Sequence, residues 1–414
     1  MNEYDIMSCD AELYECLKLE RERQENGLEM IASESIQPSA ARAFAGSIFN
    51  NKTAVGLPDK QRLKGSEYAS KLEILAAKRA CEIFGAEHAN MLTYSGSVAN
   101  YCAYSAVLEL GDRVLALAPN AGAHQTHGAA ANIASKMYSF DYFGLDRDSL
   151  LIDYAEAERK AREFRPKLIV VGSASYSRNI DYARLADIAH TNGALLMADI
   201  AHFTGLIAAG ISQNPIPYAD IVTASTTKTM CGAHSGFIMC RENLRDAVDK
   251  SVYPKNVASL HLQTIASMAY SLYNSQTPQF KALMKKVVEN AQYFCEALKA
   301  RGFDIVTGGT DCHMFVADLR PFGADCEKIA DLFERVGITV NTKAIPFDDS
   351  PVPRGLRAGT TVLTQRGFER EDLDAIADIW LRLVKSPDSE SVIENARKEV
   401  LLLAKKHPIP EIYL

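Results

Sequence analysis

The apolar and polar positions divide the chain into three kinds of stretch. Residues Ala11–Asn26 set charged side chains beside a narrow apolar stripe and predict an amphipathic helix. From Ser33 to about Tyr68 this periodicity disappears, and the run NNKTAVGLPDKQRLKGSEY, with its Gly, Pro and Lys, predicts loops. From about Lys71 onward, short apolar runs alternate with longer amphipathic ones. The short runs predict strands at 113–118, 168–172, 195–199, 221–225 and 236–240, and the longer ones predict helices at 97–110, 153–164 and 184–191. Short apolar strands separated by helices define an α/β class with a mostly parallel sheet covered on both faces. After about Gln263 the pattern is helical to Ala300. It then predicts strands at 303–306 and 313–318 and helices near 326–336, 370–383 and 391–404, which describes a smaller C-terminal α+β domain. The divisions fall at 1–68, 69–280 and 281–414, and no internal repeat is present.

Composition narrows the class. With 414 residues and 47% hydrophobic content, the chain buries a large core. A net charge of −7, with Lys and Arg scattered, provides no basic face for nucleic acid and no polybasic membrane anchor. No apolar run reaches the length of a bilayer span, about 18 residues. The nine cysteines, Cys9 among them, lack CxxC spacing and predict reduced thiols. The N-terminal stretch is acidic and unlike a signal peptide, so the expected location is cytoplasmic.

Five segments carry candidate chemistry. In IVTASTTKTMCGAHSGFIMC, an apolar strand ends in Ser225, Thr226 and Thr227, followed at once by Lys228. A lysine at a strand end in a partly dry cleft loses its proton readily and forms a Schiff base, and the neighbouring hydroxyls suit a phosphate. Read alone, such a lysine is more often a solvated loop residue. In LLMADIAH, Asp199 ends a buried strand, with His202 three residues on. A carboxylate there requires a positive partner, for which a pyridinium nitrogen serves, or it caps the following helix. In YSGSVAN, Ser95, Gly96 and Ser97 stand where a helix begins and form an anion cup, or Ser97 is a simple N-cap. The AHQTHG run offers His124 to stack on a cofactor ring, or a surface histidine. With His127 it lacks the carboxylate a metal site would need, so no metal is expected. Arg357, in RGLRAGTTVLTQRGF, is a guanidinium fork suited to a carboxylate. Their order along one α/β chain (cup, ring-stacker, Asp, Lys, Arg) describes a site for pyridoxal 5'-phosphate.

At this level the chain resembles the serine hydroxymethyltransferase family over nearly its whole length. The match runs through LEMIASES, NKTAVGLPDK, GSVAN, HQTHG, SYSRNIDYARLADIAHTNGALLMADIAHFTGLIAAG, NPIPYADIVTASTTKT and LRAGTTVLTQRGF. The resemblance implies a pyridoxal-phosphate-dependent fold type I enzyme, with a large domain of seven-stranded type and a smaller C-terminal domain. It also implies a homodimer that exchanges an N-terminal segment and shares its active sites. It carries over Lys228 as Schiff-base lysine, Asp199 as partner of the ring nitrogen, His124 as ring-stacker and His202 as neighbour of the cofactor hydroxyl. Ser33 and Arg357 become carboxylate ligands, and Ser95, Gly96 and Ser97 the phosphate cup.

The chain departs from the family pattern on one side of this site. Where the family reads NKYAEGYPGKRYYGG, the Tyr and Glu that reach the neighbouring subunit are Thr53 and Val55, and two later tyrosines are Arg62 and Leu63. That Glu handles protons in the folate-dependent reaction, and a valine cannot. Thr227 replaces the His before the lysine, His234 an Arg, Ala174 a serine near the cofactor, and Phe347 a folate-contacting Asn. Ala258 and Ser259 stand where two glycines approach the partner's phosphate. The expected activity is therefore chemistry at the Cα of a small amino acid without folate, of aldolase, transaldolase, Cα-substitution or racemase type. Lys228, His124, His234 and Tyr176 are the candidate proton carriers. Arg62, Lys64, Lys343 and Arg354 add positive charge near the expected entrance. They raise an anionic second substrate against the plainer reading of a solvated rim, and Arg62 and His234 are candidate substrate contacts. A hydroxymethyltransferase with a rearranged proton relay, and a silent dimeric homologue with a binding role, are the alternatives.

Overall fold

A computed structural model describes residues 10–411. Seven strands form the large sheet: β1 (His88–Asn90), β2 (Arg113–Leu117), β3 (Ser139–Phe143), β4 (Leu168–Gly172), β5 (Leu195–Asp199), β6 (Ile221–Ser225) and β7 (Gly236–Cys240). Their spatial order is β1-β7-β6-β5-β4-β2-β3, and only β7 runs against its neighbours. Strands β4, β6 and β7 are buried at every position, as a sheet covered by helices on both faces requires. The predicted strands agree with the observed ones to within a residue. Two strands escape the pattern: β1 is too short to show a period, and β3, SFDYF, is an edge strand that buries only its last residue.

The smaller sheet has β8 (Asp304–Ile305), β9 (Met314–Asp318), β10 (Asn341–Lys343) and β11 (Gly355–Gly359) in the antiparallel order β10-β11-β9-β8. Helices Cys326–Val336, Arg370–Lys385 and Glu390–Lys406 cover it around the fully buried Trp380. The Trp380 ring lies 4.9 Å from that of Phe333 and 5.6 Å from that of Phe294.

The expected boundaries shift once packing is seen. Helix Pro278–Lys299, started by Pro278 and capped by Thr277, packs Met284 and Val287 into the first core and Phe294 and Leu298 into the second. The N-terminal segment does not stand apart either. Leu28–Glu29 pairs in parallel with Ile338–Thr339, and Leu28 and Met30 lie in the second core. Arg366, 4% exposed, donates to the carbonyls of Gln24, Glu25 and Gly27 at the end of helix Ala11–Asn26 and to those of Ala404 and His407. One guanidinium thus satisfies the open carbonyls of two helix ends. Cys9 lies outside the described residues, and every cysteine within them is a free thiol. Among the described residues no helix is long and apolar enough to cross a membrane.

Candidate active site

The carboxyl ends of the parallel strands and the start of β7 face one cavity of about 440 Å³, the crevice where open α/β sheets hold their ligands. It is lined by Ser33, Ser95, Gly96, Ser97, His124, Asp199, His202, Ser225, Lys228 and His234, all of them expected site residues, together with Glu34, Ser173, Thr227 and others.

Helix Gly96–Val107 begins at this cavity. Ser95 caps it by accepting from the Val98 N–H at 3.2 Å, so Ser95, not Ser97, is the cap. The N–H groups of Gly96 and Ser97 have no partner among the described residues and are free for an anion. Gly236 holds β7 against this turn, and a Cβ there would lie 2.4 Å from the Ser95 carbonyl. Ser225 links to Thr227 at 2.9 Å and donates to the Ser235 carbonyl at 3.1 Å. Thr226, expected beside the phosphate, is fully buried instead. It donates to the Ala233 carbonyl at 2.6 Å and holds the loop after Lys228 closed.

Asp199 is buried at the end of β5. Its Oδ2 accepts from Asn100 Nδ2 at 2.8 Å and from His127 Nε2 at 3.2 Å, and its Oδ1 accepts from the Ala201 N–H at 2.9 Å. The next helix, Thr204–Ala208, is preceded by Phe203, so Asp199 is not its cap. Burial pushes the carboxyl up, but the bonds from His127 and Asn100 outweigh it, and Asp199 sits well below the usual carboxylate range. The Asn100 amide is fixed by Thr223, which donates to its oxygen at 2.6 Å, and by its own bond to Thr126 Oγ1 at 2.7 Å. With Thr126 Oγ1 accepting from Asn100, its hydroxyl hydrogen turns to His124 Nδ1, 2.8 Å away. That assigns the His124 proton to Nε2. Burial holds His124 neutral, with its pKa lowered to about 4. Sequence reading gave no role to Asn100, Thr126 or His127. The available signal was a polar residue recurring inside otherwise apolar, small-residue segments.

Lys228 follows β6, and its amine has no hydrogen-bond or ion-pair partner among the described residues. Burial lowers its pKa, Asp199 opposes that shift and Arg357 adds to it. His202, also buried, stacks on His313 with ring centroids 5.5 Å apart, and His313 donates from Nε2 to the Ala32 carbonyl at 3.0 Å. Burial and the charges of Lys228 and Arg357 keep His202 far below the ordinary histidine value.

Arg357 is not among the residues that line the cavity, but its charge is felt at Lys228 and His202, which do. Nε donates to Asn341 Oδ1 at 2.9 Å and Nη1 to the Ala174 carbonyl at 2.5 Å, which leaves Nη2 and one Nη1 hydrogen open. No carboxylate of the described residues pairs with it, and burial lowers its pKa to about 10.

Other expected contacts lie elsewhere. Arg62 is exposed, with its guanidinium carbon 5.7 Å from the centre of the Tyr253 ring, and is not part of this chain's cavity. Ser259 forms an antiparallel bridge with Val55, and its carbonyl accepts from the Tyr94 hydroxyl, so it too is outside. Both are exposed and meet at Val55, whose carbonyl accepts from the Arg62 N–H at 2.8 Å. Tyr176 is buried, with its hydroxyl accepting from the Ile152 N–H at 3.3 Å, and burial raises it to about 12. It does not line the cavity.

An unpartnered amine, a buried low carboxyl, a neutral imidazole and an open helix N-terminus fit pyridoxal 5'-phosphate. With this sheet they define the pyridoxal-phosphate-dependent enzymes of fold type I. The family model described as serine hydroxymethyltransferase matches residues 6–380. The chain belongs to the serine hydroxymethyltransferase family, whose members are transferases that use pyridoxal 5'-phosphate and take amino-acid substrates.

Proposed function

We propose that this enzyme acts at the Cα of a small amino acid without tetrahydrofolate, as a homodimer whose subunits complete one another's sites. The observation that carries this reading is Val55. It lies beside Ser259 in an isolated bridge, on the face that the resemblance assigns to the neighbouring site, and it stands where the family has its proton-handling Glu. A valine holds no proton, so the relay of the folate-dependent reaction is absent at that position. Phe347, 41% exposed in place of an Asn, supports the same loss on the folate side.

In this reading Lys228, whose amine lies in the cavity, would be the residue that holds the cofactor. Arg357 and Ser33 hold the substrate carboxylate, and that role is supported by the lack of a carboxylate partner for Arg357 among the described residues. Asp199, fixed by Asn100 and His127, would hold the cofactor's ring nitrogen, His124 would lie against its ring, and the N–H groups of Gly96 and Ser97 would hold its phosphate. The bound cofactor supplies an electron sink for whichever Cα bond is broken. The Lys228 amine, its proton affinity reduced by burial, would carry the proton at Cα, with His124, its proton on Nε2, as the second proton carrier.

Titrating glycine-loaded enzyme with tetrahydrofolate tests the reading. The expected result is an absorbance spectrum indifferent to folate, and a new long-wavelength band that grows only with folate would overturn it.

A further inference from the structure

One cluster has charges that the preceding reading leaves unbalanced. Asn341 and Lys343 are two residues apart on β10 and so project from the same face of the small sheet. Asn341 lies directly opposite Arg357 in the register and is bonded to it, which puts Arg357 on that face also. Lys343 is opposite Gly355, which has no side chain, so the surface diagonal to Arg357 is left to the lysine. Lys343 is half-buried, and its amine makes no ion pair or hydrogen bond among the described residues. Its charge is felt at His124, which lines the cavity.

Two cations on one partly dry face repel each other and lose hydration, and burial together with Arg357 lowers the Lys343 pKa. Elsewhere in the small domain the comparable cations are paired, as Arg320 is with Asp318 at 2.7 Å and Arg301 with Asp378 at 2.6 Å. A single substrate carboxylate on Arg357 leaves Lys343 without an anion.

We propose that Lys343 is the binding residue for a second anionic group, a carboxylate or phosphate, next to the substrate carboxylate held by Arg357. The inference rests on the amino-acid reading of this site and names its substrate class. The anion belongs either to the side chain of the amino acid or to a separate second reactant.

Calorimetric titration of the holoenzyme with L-alanine, L-serine, L-aspartate, L-glutamate and O-phospho-L-serine tests it. The expected result is about tenfold or greater preference for the anionic side chains, as one added charge-assisted hydrogen bond gives. Lys343→Gln is expected to bring that ratio close to unity, and Lys343→Arg to keep it. In a second arm, inorganic phosphate is titrated into holoenzyme saturated with L-alanine. Phosphate binding that is lost in Lys343→Gln, without any preference among amino acids, assigns the anion to a separate reactant. If L-alanine binds but neither preference nor phosphate binding is seen, the proposal is overturned and the role of Arg357 stands. A preference that persists unchanged in Lys343→Gln also overturns it. Failure of every amino acid to bind overturns the preceding reading and this proposal together.

Discussion

Asp199 is a buried carboxylate kept ionised by Asn100, His127 and a backbone N–H. Removing the Asn100 amide leaves a buried acceptor short of one donor, so Asn100→Ala is expected to cost about 1.5–3 kcal/mol, read by urea unfolding. Lys228→Ala should abolish the long-wavelength cofactor absorbance of the purified enzyme, while Arg357→Lys should raise KM for the amino acid far more than it lowers kcat. Glu73, 2% exposed, carries a separate titration: burial raises it to about 8 from 4.5, against a hydrogen bond from Gln61. Across that window the folded chain binds more protons than the unfolded one, so stability falls as pH rises through it. Glu73→Gln should flatten that fall, and urea midpoints measured below and above the window check it. At this scale the sequence was half legible. Lys228 and Asp199 stand out because an apolar strand stops abruptly at a polar residue. Asn100 and Thr226 do not, because their partners are set by packing: Asp199 is 99 residues from Asn100, and Thr226 turns inward to Ala233.

At the level of elements, the phosphate cup depends on the approach of two backbones. Helix Gly96–Val107 supplies the open N–H groups, and β7 presses on its first turn through Gly236, where a side chain has no room. Gly236→Ala should therefore displace the turn. The expected cost is about 1–3 kcal/mol of stability together with weaker pyridoxal phosphate binding, measured by thermal unfolding and cofactor titration. The central strands were readable because burial on both faces leaves continuous apolar runs such as LIVVG and GFIMC. Edge strand β3 was not, since a strand that buries one residue shows neither a run nor a clean alternation. The N-terminal segment misled for a related reason. Leu28 and Met30 carry no local periodicity, and only their pairing with Ile338–Thr339 makes them part of the second core.

Over the whole molecule, the two cores meet along helix Pro278–Lys299, and the site draws from both sides of that seam. The large sheet brings Lys228, Asp199 and His124, while the small sheet brings Arg357 and Lys343. Trp380→Ala, at the centre of the second core, should cost about 3–5 kcal/mol. Denaturation followed at both cores should show the C-terminal one melting first. The departures at Val55, Arg62 and Ser259 lie together and none lines this chain's own cavity, which is what the proposed dimer requires if they act on a neighbouring subunit's site. The account's central claim is that amino-acid chemistry persists here while folate dependence is lost. Incubating the enzyme in deuterated water with a panel of amino acids, with and without tetrahydrofolate, and reading Cα deuterium and released aldehyde by mass spectrometry tests it most directly. The account predicts exchange or cleavage with at least one amino acid at a rate that tetrahydrofolate leaves unchanged. Turnover that appears only when tetrahydrofolate is present, or no turnover with any amino acid, would contradict it.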